Sequence, residues 1–527
     1  MVYAPQKLTI DNFLGIRQKT PFTGQNNTVS AEVAINVELS TAVTGQGNDI
    51  KTVNGNVLSG QLEGYSIIKM FESLQYKDQQ DQTGTKHLIV YAENKTQGAL
   101  FEYKTQGALF ELLVDDLTKT GNANGITMVS SAYDVFVFTN GEEYYTVNFE
   151  RVPMIEQIMP VHAGQPLKGL AICESKGQLV IGSKGLLKAS RVGDVSDWNE
   201  KTTVEDKTKP WTYPFGKHIT ALVTYIQGVL VFTAEDSSFV TYKDSLLING
   251  QSSSLGGCYS HESLIIHGEY LFFYDNIQKN IYYYVQNDIG QKRLGEPLAK
   301  EVQNFFTIDL KRVQLTSYIG NNKNQIWLLM NDDLILIYDY LKSEFTQRKG
   351  NLLNTIMNYN FTLMSGDLQG KIFYEDIDEA RQCTFDGVYY PAQYMTQYMD
   401  FGSFTNLKEL DIKPLITYAK SYNNNFVFRT HTNKKIKSKR IELNQGLDFT
   451  WGDGTPKTDR TPANQLWGVG IWANSKSKKV GTVKGKAPTT FYYMKFEFAT
   501  EKVGDDFKIL QTEFKDWTEE TDTMGAK

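Results

Sequence analysis

The feature that most constrains the fold is a hairpin-like pattern that recurs between residues 60 and 375. In each repeat, a short apolar strand leads through a turn with Gly, Asn or Asp into a second strand rich in Tyr, Phe or Leu. The apolar strands are spaced by 47, 44, 50, 41 and 56 residues, measured between Leu88, Val135, Leu179, Val229, Tyr270 and Ile326. A recurrence of about 40–50 residues is typical of β-propeller blades, each of which is a four-stranded sheet.

The sequence therefore predicts an all-β protein, with a β-propeller of six or seven blades at residues 61–380. The 30 Tyr and 29 Phe favour strands, and 42 Gly with only 13 Pro suit many short strands joined by turns. Residues 1–60 are expected to form an N-terminal arm and closing strands. Apolar and polar residues alternate at 385–517, which predicts an antiparallel β-sandwich-like domain, and 518–527 are expected to be a flexible tail.

A tandem repeat of nine residues lies inside the first predicted blade. KTQGALFEY, from Lys95 to Tyr103, is followed directly by KTQGALFEL, from Lys104 to Leu112. Side chains alternate between the faces of a strand, so an odd repeat length requires a turn or a bulge between the copies. One copy is expected within the sheet, and the other is expected to loop out or to extend the edge of the blade.

The charge is slightly negative overall but basic near the C-terminus. The chain has 54 Lys and Arg against 60 Asp and Glu, a net charge of −6, which argues against a globally basic nucleic-acid binder. Two Lys-rich stretches could contact the phosphates of DNA, or an acidic neighbouring subunit, or only solvent at hairpin tips. The candidate contact residues are Lys434, Lys435, Lys437, Lys439, Arg440, Lys476, Lys478 and Lys479.

No motif with the spacing of a catalytic, cofactor or metal site stands out, so we expect no enzyme activity and no cofactor. His261 and His267 are six residues apart and could share a strand face, but polar strand residues explain them better than a metal site. Cys173, Cys258 and Cys383 are far apart and are expected to be buried apolar residues. The N-terminus does not resemble a signal peptide, and no apolar stretch is long enough to predict a membrane span.

Several phrases resemble the β-propeller tail-nozzle proteins of short-tailed bacteriophages, including the packaged-DNA stabilisation type. Phe13 and Gly15, followed by Asn36 and Val37, resemble the opening of that family, and KASRVGDVSDWN, from Lys188, resembles one of its blade phrases. VLVFTAEDSSFVTYKD and SHESLIIHGEYLFFYDNIQKNIYYY are similar to further blades. MDFGSFTNLKELDIKPLITYA resembles the strand pair that follows the propeller. A crAss-like phage, whose tail barrels contain comparable parts, is consistent with this resemblance.

The resemblance implies a structural protein of the virion tail that is assembled in the cytoplasm of the bacterial host. Copies would form a closed ring, a hexamer or a dodecamer, that continues the DNA channel, retains the packaged genome and allows its ejection. The implied partners are portal and adaptor rings, other tail and fibre proteins and, transiently and without sequence specificity, double-stranded DNA. The duplicated nonapeptide and the Lys-rich C-terminal hairpins depart from the common pattern of the family.

Two other functions fit a β-propeller. One is a receptor- or glycan-binding adhesin, which would present Trp and Tyr at one mouth of the propeller. The other, which the sequence favours less, is a glycosidase, which would need two carboxylates facing each other across a cavity.

Overall fold

Strands make up nearly all the regular structure in the part of the chain that the computed structural model describes. That part comprises residues 6–17, 28–41, 48–76, 83–130, 133–200, 208–225, 228–243, 246–275, 277–285, 292–293, 302–306, 310, 312–320, 323–330, 334–350, 352–375, 384–399, 401, 406–410, 413–419, 425–433, 435–442 and 480–520. Helical structure there is limited to short segments, including the 3-10 turns η1 (His261–Ser263) and η2 (Gln303–Phe305). The predicted all-β class is confirmed.

The chain divides into two compact units that are discontinuous in sequence. Unit 1 comprises residues 1–57, 344–349 and 376–527, and unit 2 comprises residues 58–343 and 350–375. The strands of unit 1 that precede unit 2 are β1 (Gln6–Ile10), β2 (Asn12–Ile16), β3 (Thr28–Ile35), β4 (Val37–Thr41) and β5 (Asn48–Thr52). Strand β6 (Asn56–Gln61) begins in unit 1 and continues into unit 2.

Unit 2 contains seven antiparallel sheets that follow one another along the described chain. Sheet 1 consists of β7 (Ser66–Gln75), β8 (Thr85–Glu93), β9 (Gly98–Lys104) and β10 (Leu109–Leu117). Sheet 2 consists of β11 (Asn124–Ser130), β12 (Tyr133–Thr139), β13 (Tyr144–Val147) and β14 (Ile155–Ile158). A small hairpin, β15 (Val161–His162) with β16 (Gln165–Pro166), leads to sheet 3, which consists of β17 (Ala171–Ser175), β18 (Gln178–Ala189) and β19 (Trp211–His218).

The remaining sheets of unit 2 repeat this arrangement. Sheet 4 consists of β20 (Ala221–Tyr225), β21 (Gly228–Phe232), β22 (Asp236–Lys243) and β23 (Leu246–Gly256). Sheet 5 consists of β24 (Leu264–His267), β25 (Tyr270–Asp275), β26 (Asn280–Val285) and β27 (Lys292–Arg293). Sheet 6 has β28 (Gln314–Gly320), β29 (Lys323–Leu329) and β30 (Ile335–Asp339) within unit 2; β31 (Glu344–Arg348) follows in unit 1. Sheet 7 has β32 (Leu353–Tyr359), β33 (Thr362–Asp367) and β34 (Lys371–Glu375), with β6 beside β34.

Apolar side chains pack each of the first four sheets against the next. Phe71 of sheet 1 lies 5.6 Å from Phe136 of sheet 2, measured between ring centroids, and Phe232 of sheet 4 lies 5.1 Å from Phe273 of sheet 5. Further buried clusters join sheet 2 to sheet 3 and sheet 3 to sheet 4. Because both faces of a sheet are covered in this way, its strands read as nearly continuous apolar runs.

Sheet 7 packs against sheet 1, although the two are separated by most of unit 2. Ile67 and Met70 of β7 share one buried cluster with Met364 and Ile372 of sheet 7. The approach is close enough to require glycine at Gly366, where a Cβ atom would lie 2.6 Å from Cγ2 of Ile67. Sheet 7 also contacts sheet 6, since the Glu375 carboxylate accepts hydrogen bonds from Tyr318 and Lys323 at 3.1 and 2.7 Å.

Most strands of unit 1 belong to two sheets that share a phenylalanine core. Its later strands are β35 (Thr384–Phe385), β36 (Val388–Tyr389), β37 (Gln393–Thr396), β38 (Leu407–Leu410), β39 (Leu415–Ala419), β40 (Asn425–Thr432), β41 (Ile436–Glu442), β42 (Val480–Lys484), β43 (Thr490–Phe491), β44 (Met494–Ala499) and β45 (Lys508–Glu520). One sheet is organised around β45, and the other runs through β3, β37, β44, β40 and β41. Phe496 of β44 meets Phe514 of β45 at 5.9 Å between centroids, so the core lies between the two sheets.

The short segment Glu344–Lys349 is held in unit 1 by residues from the opening of the chain. The Glu344 carboxylate accepts hydrogen bonds from the Gly15 amide at 2.9 Å and from Arg17 at 2.8 Å. Asn36, which adopts a φ of 53°, donates to the Lys349 carbonyl at 3.1 Å and accepts from the Lys349 amide at 3.0 Å. Gly15 and Asn36 therefore anchor this segment within unit 1.

Candidate functional site

A buried ion cluster around Glu262 links residues that lie far apart in the sequence of unit 2. Glu262 is in turn η1, and its side chain is only 4% exposed. Lys69 Nζ on β7 lies 2.9 Å from Glu262 Oε1. Arg312, just before β28, donates from Nη2 to Oε1 at 2.7 Å and from Nε to Oε2 at 2.8 Å. The two cations therefore hold both oxygens of one carboxylate, in the paired arrangement that a buried charge needs.

Further hydrogen bonds attach the cluster to the first strands of other sheets. Arg312 Nη1 donates to Asn354 Oδ1 of β32 at 2.7 Å, and Asn354 in turn donates to the Ile67 carbonyl at 2.7 Å. The neighbouring His261 donates from Nε2 to the Ala123 carbonyl, just before β11, at 2.9 Å. Turn η1 is thus fixed to residues of sheets 1 and 7 and to the residues that lead into sheets 2 and 6.

A reciprocal pair of serine contacts explains why the chain forms a 3-10 turn at this point. The Ser260 amide donates to Ser263 Oγ at 2.9 Å, and Ser263 Oγ donates to the Ser260 carbonyl at 2.8 Å. Such local side-chain bonds satisfy backbone groups that a short turn leaves unpaired. The phrase Ser-His-Glu-Ser therefore places the Glu262 carboxylate within reach of both cations.

The electrostatics of the cluster favour ionised Glu262 and neutral His261. Burial by itself raises the pKa of Glu262, but the nearby Lys69 and Arg312 outweigh it and hold that pKa well below its usual range. Burial lowers the pKa of His261, with Lys69 and Arg312 acting in the same direction and Glu262 opposing them. A carboxylate kept ionised by two cations is poorly suited to donate or accept a proton near neutral pH, so we assign the cluster a bracing role.

Two cavities lie on either side of turn η1. The larger, of about 650 Å³, is lined by residues that include Asn122, Glu142, Lys184, His218 and His261. The smaller, of about 260 Å³, is lined by residues that include Lys69, Glu262 and Ser317. His261 borders both cavities, so turn η1 separates them.

The two histidines singled out in the sequence take separate sets of partners. His261 bonds to the Ala123 carbonyl, whereas His267 is buried between Ser317 Oγ at 2.6 Å and Asn324 Oδ1 at 2.5 Å. In the described part of the chain, no group of three or more His, Cys, Asp or Glu side chains is arranged to hold a metal ion.

Cys173 and Cys258 are buried free thiols, as the sequence predicts, and Cys383 lies outside the described residues. Burial raises the pKa of both Cys173 and Cys258 to about 12, so neither is a ready thiolate nucleophile.

The structure describes four of the eight basic candidate residues of unit 1. Lys435 is exposed and Lys437 half-buried, and neither side chain has an acidic partner among the described residues. Lys439 donates to the Lys484 carbonyl at 2.5 Å. Arg440 donates from Nη1 and Nη2 to the two oxygens of Asp505 at 3.0 and 2.6 Å. The other four, Lys434, Lys476, Lys478 and Lys479, lie outside the described residues.

A second buried carboxylate, which the sequence analysis did not single out, lies in the same sheet of unit 1. Glu497 on β44 is 4% exposed at its side chain and lies 2.6 Å from Arg429 and 2.7 Å from His431. Gln393 also donates to Glu497 at 3.0 Å. The cross-strand pairing of Arg429 with Glu497 brings these groups together, and it is visible only once the strand register is known.

Within the described residues, no helix has the length and hydropathy needed to cross a membrane.

No protein-family model matches this chain, and no curated protein matches it. Among solved structures, the chain is similar to the computationally designed Ika8 protein, with 11% identity over 61% of this chain and 100% of that chain, at a TM-score of 0.38. It is also similar to Raptor from Chaetomium thermophilum, with 8% identity over 62% of this chain and 29% of that chain, at a TM-score of 0.39. Similarities at these identities and TM-scores carry no argument about function.

Proposed function

We propose that unit 2 is a seven-bladed β-propeller. The proposal rests on the order in which the sheets pack, since the buried clusters join consecutive sheets and a further cluster joins sheet 7 to sheet 1. Strand β6, from the N-terminal side, lies beside β34 and would supply the fourth strand of the last blade. Such an exchange between the two ends of a repeat array closes the ring and leaves no bare end sheet.

We further propose that the protein is a structural component of a bacteriophage tail, as part of a ring-shaped nozzle or hub. The observation that carries this proposal is the use made of the buried charged groups of unit 2. Lys69, Glu262 and Arg312 form one ion cluster that links β7 to turn η1 and to the segment just before β28. An enzyme such as a glycosidase would instead need carboxylates free to face a substrate.

The packing of the phage-like blade phrase is in keeping with this proposal. Ser190 Oγ accepts from the Leu179 amide at 3.0 Å, Gly193 adopts a φ of 71°, and Trp198 is buried. Arg191 pairs with Asp197 at 2.5 Å across the same turn. The residues on which the resemblance rests therefore shape a compact turn, the kind of role that a shared scaffold would preserve.

The path for DNA would lie between copies of the chain and not through unit 2. Turn η1 is bonded to Arg312 and to the Ala123 carbonyl, so a duplex could pass between these residues only if buried ion pairs were broken. A ring of copies would supply the conduit instead, through contacts between different surfaces of neighbouring subunits. The portal and adaptor rings, other tail and fibre proteins and non-specifically bound DNA would be its partners.

Native mass spectrometry and negative-stain microscopy of the purified chain test the proposal. We expect closed rings of identical copies, with six or twelve subunits. A strictly monomeric particle at micromolar concentration, inert toward other tail proteins of the same virion, would contradict it.

A further inference from the structure

The larger cavity of unit 2 has the size of a ligand pocket. Its volume of about 650 Å³ is within the range of about 300–1,000 Å³ typical of small-molecule sites. The wall is formed at residues 140–142, 166–171, 182–184, 218–220 and 259–261, which include His261 of turn η1. Because that turn is fixed by Glu262 and its partners, this part of the wall is rigid.

Two nitrogen-bearing side chains face each other across neighbouring strands in the wall of this pocket. Lys184 of β18 and His218 of β19 are directly opposite each other in the strand register, and both are exposed. Neither has an acidic partner among the described residues. An anion held between them would accept hydrogen bonds from the Lys184 ammonium and from a ring N–H of His218.

The rest of the wall supplies neutral polar groups and one ion pair. Lys168 is paired with Glu142, so that lysine is already compensated. Asn122 Oδ1 is buried and has no donor among the described residues, which is an unusual state for a carbonyl oxygen. Ser260 and Thr220 also line the pocket. Hydroxyl groups can act as both donors and acceptors for such a surface.

We propose that this pocket binds an acidic sugar, whose carboxylate or phosphate group is held by Lys184 and His218. The cavity is far larger than one inorganic anion, and its amide and hydroxyl groups suit a ligand with several hydroxyls. The chemistry shared by sugar acids and sugar phosphates is an anionic group on a polyhydroxylated ring. This binding activity is separate from ring assembly and does not depend on it.

Ligand-observed NMR and calorimetry on the full-length chain test this site. The probes are glucuronate, glucose 6-phosphate, neutral glucose and inorganic phosphate. The double variant Lys184→Gln with His218→Gln replaces the ammonium and the imidazole that face the anion with neutral amides. Lys95→Gln is the matched control, because Lys95 is an exposed lysine in the turn between β8 and β9 and does not line the pocket.

We expect at least one of the acidic sugars to bind and glucose to bind more weakly. In the double variant the acidic sugar should bind at least about tenfold more weakly, since the ammonium charge and the imidazole contact are lost, while Lys95→Gln should bind as the wild type does. Absence of binding by both acidic sugars at millimolar concentration would overturn the proposal. So would an affinity for inorganic phosphate equal to that for the acidic sugar, or an unchanged affinity for the acidic sugar in the double variant.

Circular dichroism of the double variant confirms that any loss of binding is not caused by unfolding. Ring formation, scored separately, reports only on the structural proposal.

Discussion

Leu100 and Leu109 occupy the same position in the two copies of the nine-residue repeat, yet Leu100 is fully buried and Leu109 is 53% exposed. The two copies form adjacent antiparallel strands, in which Phe110 pairs with Tyr103 and Glu111 with Glu102. Strand β9 lies between β8 and β10, whereas β10 is the outer strand of sheet 1. The second copy therefore extends the edge of the sheet, which is one of the two outcomes expected from the sequence.

This pair of leucines gives a stability test in which the local sequence is constant. We expect Leu100→Ala to lower the free energy of unfolding by about 2–5 kcal/mol, because it leaves a cavity in the core between sheets 1 and 2. Leu109→Ala should change it by about 0.5 kcal/mol or less, as is usual for exposed positions. Chemical denaturation monitored by circular dichroism measures both. Equal effects of the two substitutions would show that β10 is as enclosed as β9.

The Glu262 cluster predicts a large effect from a conservative substitution. Glu262→Gln removes the negative charge with which both Lys69 and Arg312 pair and should lower the free energy of unfolding by about 3–5 kcal/mol. Glu111→Gln is the matched control, because Glu111 pairs with Lys104 at an exposed site where an ion pair contributes about 1 kcal/mol or less. A loss no greater for Glu262→Gln than for Glu111→Gln would refute the bracing role.

The same cluster predicts how that difference depends on pH. The folded-state pKa of Glu262 lies below its unfolded-state value, so its contribution is fully present above the unfolded pKa of about 4.5 and is lost as pH falls toward the folded value. The stability gap between wild type and Glu262→Gln should therefore be constant from pH 7 to 5 and should narrow below about pH 4.5. Denaturation curves at several pH values measure the gap. A gap that widens on acidification would contradict the assignment.

The basic residues at the hairpin of β40 and β41 are expected to have two different roles, DNA contact and stabilisation of unit 1. Lys435→Gln with Lys437→Gln should reduce the slope of log affinity for double-stranded DNA against log salt by up to about 2, because both ammonium groups can reach phosphates. Arg440→Gln should instead cost about 2–3 kcal/mol of stability, since buried Asp505 loses its bidentate partner. A salt titration by fluorescence anisotropy, together with denaturation, separates the two effects. An unchanged slope in the double lysine variant would exclude these residues from DNA contact.

The sequence period located one particular strand in each of the first six sheets of unit 2. Leu88, Val135, Leu179, Val229, Tyr270 and Ile326 all lie in the second strand of their sheets, namely β8, β12, β18, β21, β25 and β29. Second strands are covered on both faces and have neighbours on both edges, so they carry the strongest apolar signal. The all-β class followed from this signal together with the aromatic composition.

The ion cluster and the division into units could not be predicted in the same way. Lys69 and Glu262 are 193 residues apart, and Arg312 is a further 50 residues away, so no local pattern brings them together. The six residues Glu344–Lys349 belong to unit 1 because Gly15 and Asn36 bind them, a relationship that only the folded chain reveals. Asp505 and Asp506 are both buried, and Asp505 pairs with Arg440, which is 65 residues earlier in the chain.

The central claim is that copies of this chain build a conduit in a virion tail. An electron-microscopy map of the particle that contains the chain, with copies of the chain placed by their seven-sheet unit, tests it most directly. The account predicts a closed ring of copies around the tail axis, with the DNA path between them and the centre of each unit 2 closed by turn η1. A map in which the chain is absent from the tail, or in which DNA density threads the centre of unit 2, would contradict the account.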